Sequence, residues 1–175
     1  MEHAFPIHAE GLRVEAHTDL LAASLRYFDA AGSFAAAVRE ATGQQLPAVL
    51  AATFNAGSFL LLAWRSPTET LLLCDDRAAF AELEQRLLAA TDGCMVDQTG
   101  GVCVYRVQGT RARELLQRIG AATAVPGIGE ARTGRLAELQ VLTACVQTQE
   151  YLLVVERAYA DHLVAWIRAT VADFA

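Results

Sequence analysis

The 175-residue sequence contains no lysine; all fourteen basic residues are arginine. That excludes any mechanism needing a Schiff-base lysine or the lysine of a phosphate-binding P-loop. Positive charge is also outnumbered, fourteen arginines against twenty acids, for a net charge of −6. A nucleic acid or an anionic membrane needs clustered cations, so neither is an expected partner. The four cysteines, Cys74, Cys94, Cys103 and Cys145, lack close pairs. This excludes dithiol redox motifs and cysteine-paired zinc sites. Each lies in an apolar run and reads as a buried free thiol of a cytoplasmic protein. Long hydrophobic runs are missing too. The longest, residues 59–64, is far too short to span a bilayer, and residues 1–10 do not read as a signal peptide. The sequence has no Gly-x-Ser-x-Gly, His-Glu-x-x-His, Walker or dinucleotide glycine motif.

What is present is a large supply of core: 54% of residues are hydrophobic and spread along the chain. At this length they suit one domain, or two small lobes. The organising stretch is residues 102–120. Val102 to Val107 is apolar on both faces, as a buried strand is. Gln108-Gly109 breaks it, and Thr110 is placed to cap a helix with Ala112, Leu115, Leu116 and Ile119 on one side. One glycine reads as a tight strand-to-helix corner; a nucleotide fingerprint needs three.

The pattern occurs twice. Residues 22–28 suit strand or helix by their own pattern and end as a strand at Phe28-Asp29; a helix carrying Phe34, Val38 and Ala41 follows and stops at Gly43. Residues 44–57 read as a loop. Strands 58–64 and 70–74 flank a turn with Pro67, then Asp75-Asp76 caps a helix bearing Phe80, Leu83 and Leu87. A short strand, 94–97, follows. The second copy repeats this with strands at 139–146 and 151–155 and a last helix, 157–174, expected to bury Leu163, Trp166 and Ile167. The offset is about 80 residues throughout. The fold class is therefore α+β: two tandem ferredoxin-like β-α-β-β-α halves, approximately 12–97 and 102–174, expected to pack together in a single domain.

Chemistry is sparse. Of four histidines, His3, His8 and His17 lie in the weakly patterned N-terminal region, and His162 sits beside Asp161 on the last helix. Capping and turns account for Asp75, Asp76 and Asp97. No nucleophile–base pair and no metal set can be named, so catalytic and metal residues are read as none. Trp64 suits the core, or a flat-ligand pocket at a strand end. Arg106, Arg132 and Arg135 are able to clamp a carboxylate. Trp64, Arg106 and Arg132 are the ligand-binding candidates.

Several segments resemble the sarcosine oxidase gamma subunit family, which is related to the folate-binding aminomethyltransferase fold of the glycine cleavage T-protein. They are the strand entering Arg65-Ser66-Pro67-Thr68-Glu69 and leaving as Thr70-Leu71-Leu72-Leu73; residues 104–116; Gly129-Glu130-Ala131-Arg132-Thr133; and the ending 151–163. The family's first turn usually carries Gly-Pro-Asp-Glu-Trp. Pro67 and Glu69 keep it and become the partner-interface candidates, while Ser66, Thr68 and Thr70 depart from it. The resemblance implies a non-catalytic gamma-type subunit of a heteromeric sarcosine oxidase-like complex, contributing to its assembly with larger flavin-bearing subunits. FAD, FMN, NAD and tetrahydrofolate are implied for the complex, and no cofactor for this chain alone. It allows a homo-oligomer of the isolated chain that covers the surface meant for partners. The alternative is a stand-alone folate-type small-molecule binding module with its pocket between the lobes.

Overall fold

Aliphatic runs such as Leu71-Leu72-Leu73 have nowhere to expose a side chain, so they form strands buried along their length. The structure, a computed structural model, describes residues 5–174; His3 lies outside the described residues. In chain order the elements are β1 (Ile7–Ala9), β2 (Leu12–His17), β3 (Leu21–Tyr27), α1 (Ser33–Thr42), β4 (Ala52–Asn55), β5 (Leu60–Ser66), β6 (Glu69–Cys74), α2 (Arg77–Leu87) and β7 (Gly93–Asp97). There follow β8 (Val102–Gln108), α3 (Ala112–Ile119), β9 (Ala131–Leu136), β10 (Leu139–Gln147), β11 (Glu150–Glu156) and α4 (Ala160–Ala172).

The chain divides into two compact units: residues 19–100, and residues 1–18 with 101–175. The 19–100 unit has the sheet order β4-β5-β6-β3-β7, with every neighbouring pair antiparallel. Apart from β4, this is the ferredoxin-like βαββαβ arrangement. Its core joins Leu25, Leu62 and Leu72 to Phe34 and Val38 of α1 and to Phe80, Leu83 and Leu87 of α2. Each fully buried leucine contributes about 2 kcal/mol. Asp76 caps α2, accepting from the N–H groups of Ala78 at 2.8 Å and Ala79 at 3.1 Å. The cap of α1 comes from outside the helix. Gly32 has no side chain, and Asp92, just before β7, accepts the Phe34 N–H at 2.9 Å and the Ser33 hydroxyl.

The second unit has the order β1-β2-β8-β11-β10-β9. Its repeat begins at Val102, 81 residues after Leu21, and its third strand at Glu150, 81 after Glu69. The fourth strand comes from the N-terminus. β2 pairs antiparallel with β8 where β7 pairs with β3. It starts at Leu12, 81 residues before the Gly93 that starts β7. The first half, expected to run from residue 12 to 97, thus cedes its opening strand. The reason is packing: Leu12 and Val14 join the core of Tyr105, Val107, Leu115 and Leu163.

Other differences are local. The expected 44–57 loop contains β4, held against β5, with the Trp64 N–H bonded to Ala51 O at 3.0 Å. Thr110 does not cap α3, whose N-cap position is Arg111. Trp166 is 43% exposed, because Leu163, Ile167 and Val171 already fill the inner face of α4. Cys74 and Cys145 are buried, but Cys94 is exposed on an edge strand, and all four thiols are free.

Candidate functional site

Each unit opens its third strand on a glutamate, Glu69 in β6 and Glu150 in β11. The registers make them equivalent: Arg26 lies opposite Glu69, and Gln108 opposite Glu150. A carboxylate at a strand start is costly to bury unless its oxygens are filled. In the 19–100 unit, Ser24 Oγ donates to Glu69 Oε1 at 2.6 Å and Arg65 Nη1 at 3.1 Å; Arg65 also reaches Gln98 Oε1 at 3.4 Å. In the second unit Arg106 holds the position of Ser24. Its Nε and Nη2 donate to Glu150 Oε1 at 2.9 and 2.7 Å, and Gln108 Nε2 donates to Oε2 at 3.1 Å. The Glu150 side chain is 9% exposed and that of Arg106 30%.

Beside Glu69 lies a hollow of about 450 Å3. Arg26 and Phe28 line it from the end of β3, Thr68 and Glu69 from the β5–β6 turn, and Gly93 and Cys94 from the start of β7. Phe28 is 90% exposed, although its N–H is fixed to Asp92 O at 3.0 Å. Gly93 is set by core packing: a Cβ there would lie 2.5 Å from Cγ of the buried Phe34 and 2.7 Å from Arg26 O. An anchored backbone presenting a bare aromatic ring beside a filled carboxylate suits contact with another protein surface.

The strand-to-helix corner at Gly109 serves packing. Its φ is +118°, and an added Cβ would stand 2.2 Å from Gly11 O. The Gly109 N–H bonds Gln149 O at 3.0 Å, and the Arg111 N–H bonds Gly11 O at 3.0 Å. The corner therefore seats the β1–β2 hairpin.

The residues singled out from sequence lie apart. Arg106 and Arg132 are on β8 and β9, with β11 and β10 between them. Arg106 is in register with Leu152, and Arg132 with Thr143; those strand positions alternate, so the two arginines belong to opposite faces. Arg132 donates to Glu130 Oε2 at 3.1 Å and to Thr123 O at 3.3 Å. The Gly127 N–H and then Arg132 hold the Glu130 carboxyl below its usual range. Arg135 pairs with Glu138 at 2.8 Å on the surface. Trp64 is half-buried on β5 opposite Thr70. Pro67 is exposed in the β5–β6 turn next to the hollow, which Glu69 lines. His162, on the exposed face of α4, has its Nε2 3.1 Å from Ala137 O. Burial pushes the Tyr105 hydroxyl up to about 12. Among the described residues, no group of three or more His, Cys, Asp or Glu is placed to hold a metal ion. No helix among them is long and apolar enough to cross a membrane. Phe28 and Cys94 were not foreseen; the signal available was an aromatic followed by Asp29 at a strand end.

Two tandem ferredoxin-like units define an α+β chain. The fold is similar to the glycine cleavage system aminomethyltransferase T from Bartonella henselae, with TM-score 0.62 and 14% identity over 90% of this chain and 45% of that one. The chain belongs to the sarcosine oxidase, gamma subunit family, whose profile matches residues 26–173. It is 26% identical to the sarcosine oxidase subunit gamma of Corynebacterium sp. (strain U-96) over 142 residues, covering 79% of this chain and 69% of that protein. It also superposes on a chain of the heterotetrameric sarcosine oxidase from Corynebacterium sp. U-96 in complex with pyrrole 2-carboxylate. The TM-score is 0.84 and the identity 22%, over 97% of this chain and 88% of that one.

Proposed function

We propose that the chain is a non-catalytic, assembly-contributing subunit of a heteromeric complex that oxidatively demethylates sarcosine, working in the cytoplasm beside larger flavin-bearing subunits. The observation that carries this reading is the family match across residues 26–173. The chemistry is consistent with it. The candidate cation for a small acid, Arg106, is held by Glu150, and Arg132 by Glu130 and Thr123. A stand-alone folate-binding module is less well supported, because the guanidinium it would use is committed within the sheet. In this reading FAD, FMN, NAD and tetrahydrofolate are held by the other subunits, and this chain contributes surface. Removed from them, the isolated chain is able to cover part of that surface with a second copy.

Co-expression with the flavin-bearing subunits tests the reading. This chain is expected to co-purify in a fixed ratio with a yellow complex active on sarcosine. Recovery of the active flavin subunits at full yield and stability without it would overturn the assembly role.

A further inference from the structure

The two units differ at one sheet edge. In the second unit, the outer edge of β2 is covered by β1, antiparallel, with Ile7 opposite Val14, His8 opposite Arg13 and Ala9 opposite Leu12. In the 19–100 unit, the strand at the position of β2 is β7, and no described strand pairs with its outer edge. The registers align the two strands residue by residue. Arg26 lies opposite Cys94 as Gln108 lies opposite Arg13, so Gly93, Met95 and Asp97 correspond to Leu12, Val14 and Ala16.

The phase of the hydrogen bonds is also set. The Phe28 N–H bonds Asp92 O and the Gln98 N–H bonds Ala22 O, at 3.0 and 2.8 Å. In an antiparallel ladder the bonded pairs alternate, so Cys94 and Val96 bond to β3 while the backbone groups of Gly93, Met95 and Asp97 face outward. The strand is accessible, with Cys94 and Asp97 exposed and Val96 40% exposed. It carries none of the usual edge protection by proline, lysine or a bulge.

We propose that the outer edge of β7 is a strand-addition site for an extended segment of a partner subunit. The segment lies antiparallel to Gly93–Asp97, with an apolar residue opposite Met95, as Ile7 is opposite Val14, and a basic residue beside Asp97. This rests on the heteromeric reading above. A second copy of this chain fits less well. Pairing β7 with itself about Met95 sets each Asp97 opposite Gly93 of the other copy, one residue from that copy's Asp92. Like charges then meet at both ends, between chains each carrying −6. A partner strand with a basic residue beside Asp97 turns that carboxylate's repulsion into an attraction.

Met95→Pro removes an outward-facing N–H, which edge strands tolerate, and leaves the bonds of Cys94 and Val96 to β3 in place; it also removes the Met95 side chain from its packing against the core, a loss that Met95→Ala shares while keeping the N–H. In full-chain co-expression with the flavin-bearing subunits, Met95→Pro is expected to recover about tenfold less partner than wild type. Its thermal transition alone should fall about as far as that of Met95→Ala, which is expected to assemble close to wild type. Asp97→Asn keeps the acceptor of the Thr99 N–H at 2.8 Å. It is expected to weaken assembly several-fold and flatten its salt dependence, and it decides the matter should Met95→Pro fold poorly. Hydrogen exchange at Gly93, Met95 and Asp97 should slow in the complex relative to the free chain. Undiminished assembly of Met95→Pro and Asp97→Asn, with wild type assembling normally, overturns the β7 site and leaves the subunit role standing. Failure of wild type to assemble overturns both.

Discussion

Arg106 and Glu150 face one another across β8 and β11, with two guanidinium nitrogens on one carboxylate oxygen at 2.7 and 2.9 Å. Gln108 fills the other oxygen, so the carboxylate is satisfied although it is nearly buried. Surface pairs such as Arg86–Glu82 or Arg135–Glu138 are worth well under about 1 kcal/mol. Breaking the enclosed pair leaves polar groups without partners. We expect Glu150→Ala to cost about 2 kcal/mol in urea unfolding. A double-mutant cycle with Arg106→Ala should return a favourable coupling of about 1 kcal/mol. Additive single changes would show that the contact contributes nothing of its own.

Gly109→Ala is expected to destabilise by about 2 kcal/mol or more, through both a positive φ and the clash with Gly11 O. The damage should be directional. Amides of residues 7–17 should exchange faster while those of β6 keep their protection. Uniform loss of protection over both units would contradict a seat specific to the hairpin.

Asp92 gives a pH signature. The Ser33 hydroxyl, foremost, and the Phe34 N–H lower its carboxyl below the ordinary value of 3.8. A lowered folded pKa means that the stabilisation is complete above 3.8 and is lost as pH falls through the lower folded value. The melting temperature of wild type should therefore exceed that of Asp92→Asn at pH 7, and the gap should close on acidification below 3.8. A gap that persists at pH 2 would assign the difference to something other than ionisation.

Thiol titration separates the cysteines. Burial raises the Cys74 and Cys145 thiols, which suppresses thiolate as well as access. Cys94 is exposed and Cys103 half-buried. At pH 8 an aromatic disulfide reagent should show one fast thiol, lost in Cys94→Ser, and Cys74 and Cys145 should react only on unfolding. Fast reaction of a second thiol in the native chain would place one of the others nearer the surface.

Much of this architecture was legible because its causes are local. The apolar run at Leu71-Leu72-Leu73 and the spacing of Phe80, Leu83 and Leu87 bring their own periods, and Asp76 its own cap. The duplication showed because like elements recur at 81 residues. What was not legible depends on distant partners. Alternation at Leu12 and Val14 signals a strand but not which sheet receives it. β1, three residues long, exists because β2 offers an edge. β4 has little pattern of its own and is held by β5. Cys94 lies in an apolar run, yet edge position decides its exposure. The site residues show the same limit. Arg106 reads as a free cation until folding sets Glu150, 44 positions later, beside it.

The borrowed fourth strand also orders events during synthesis. β2 has β1 on one edge as soon as both have left the ribosome, but its other edge cannot be paired until β8 has followed it, roughly ninety residues on, a few to some twenty seconds at ordinary elongation rates. The segment 19–100, whose strands are all contiguous, can close in that interval. The nascent β1–β2 hairpin therefore waits as a ribbon with one open edge while the 19–100 segment folds first, and α4, emerging after β11, seals the unit to which β2 belongs.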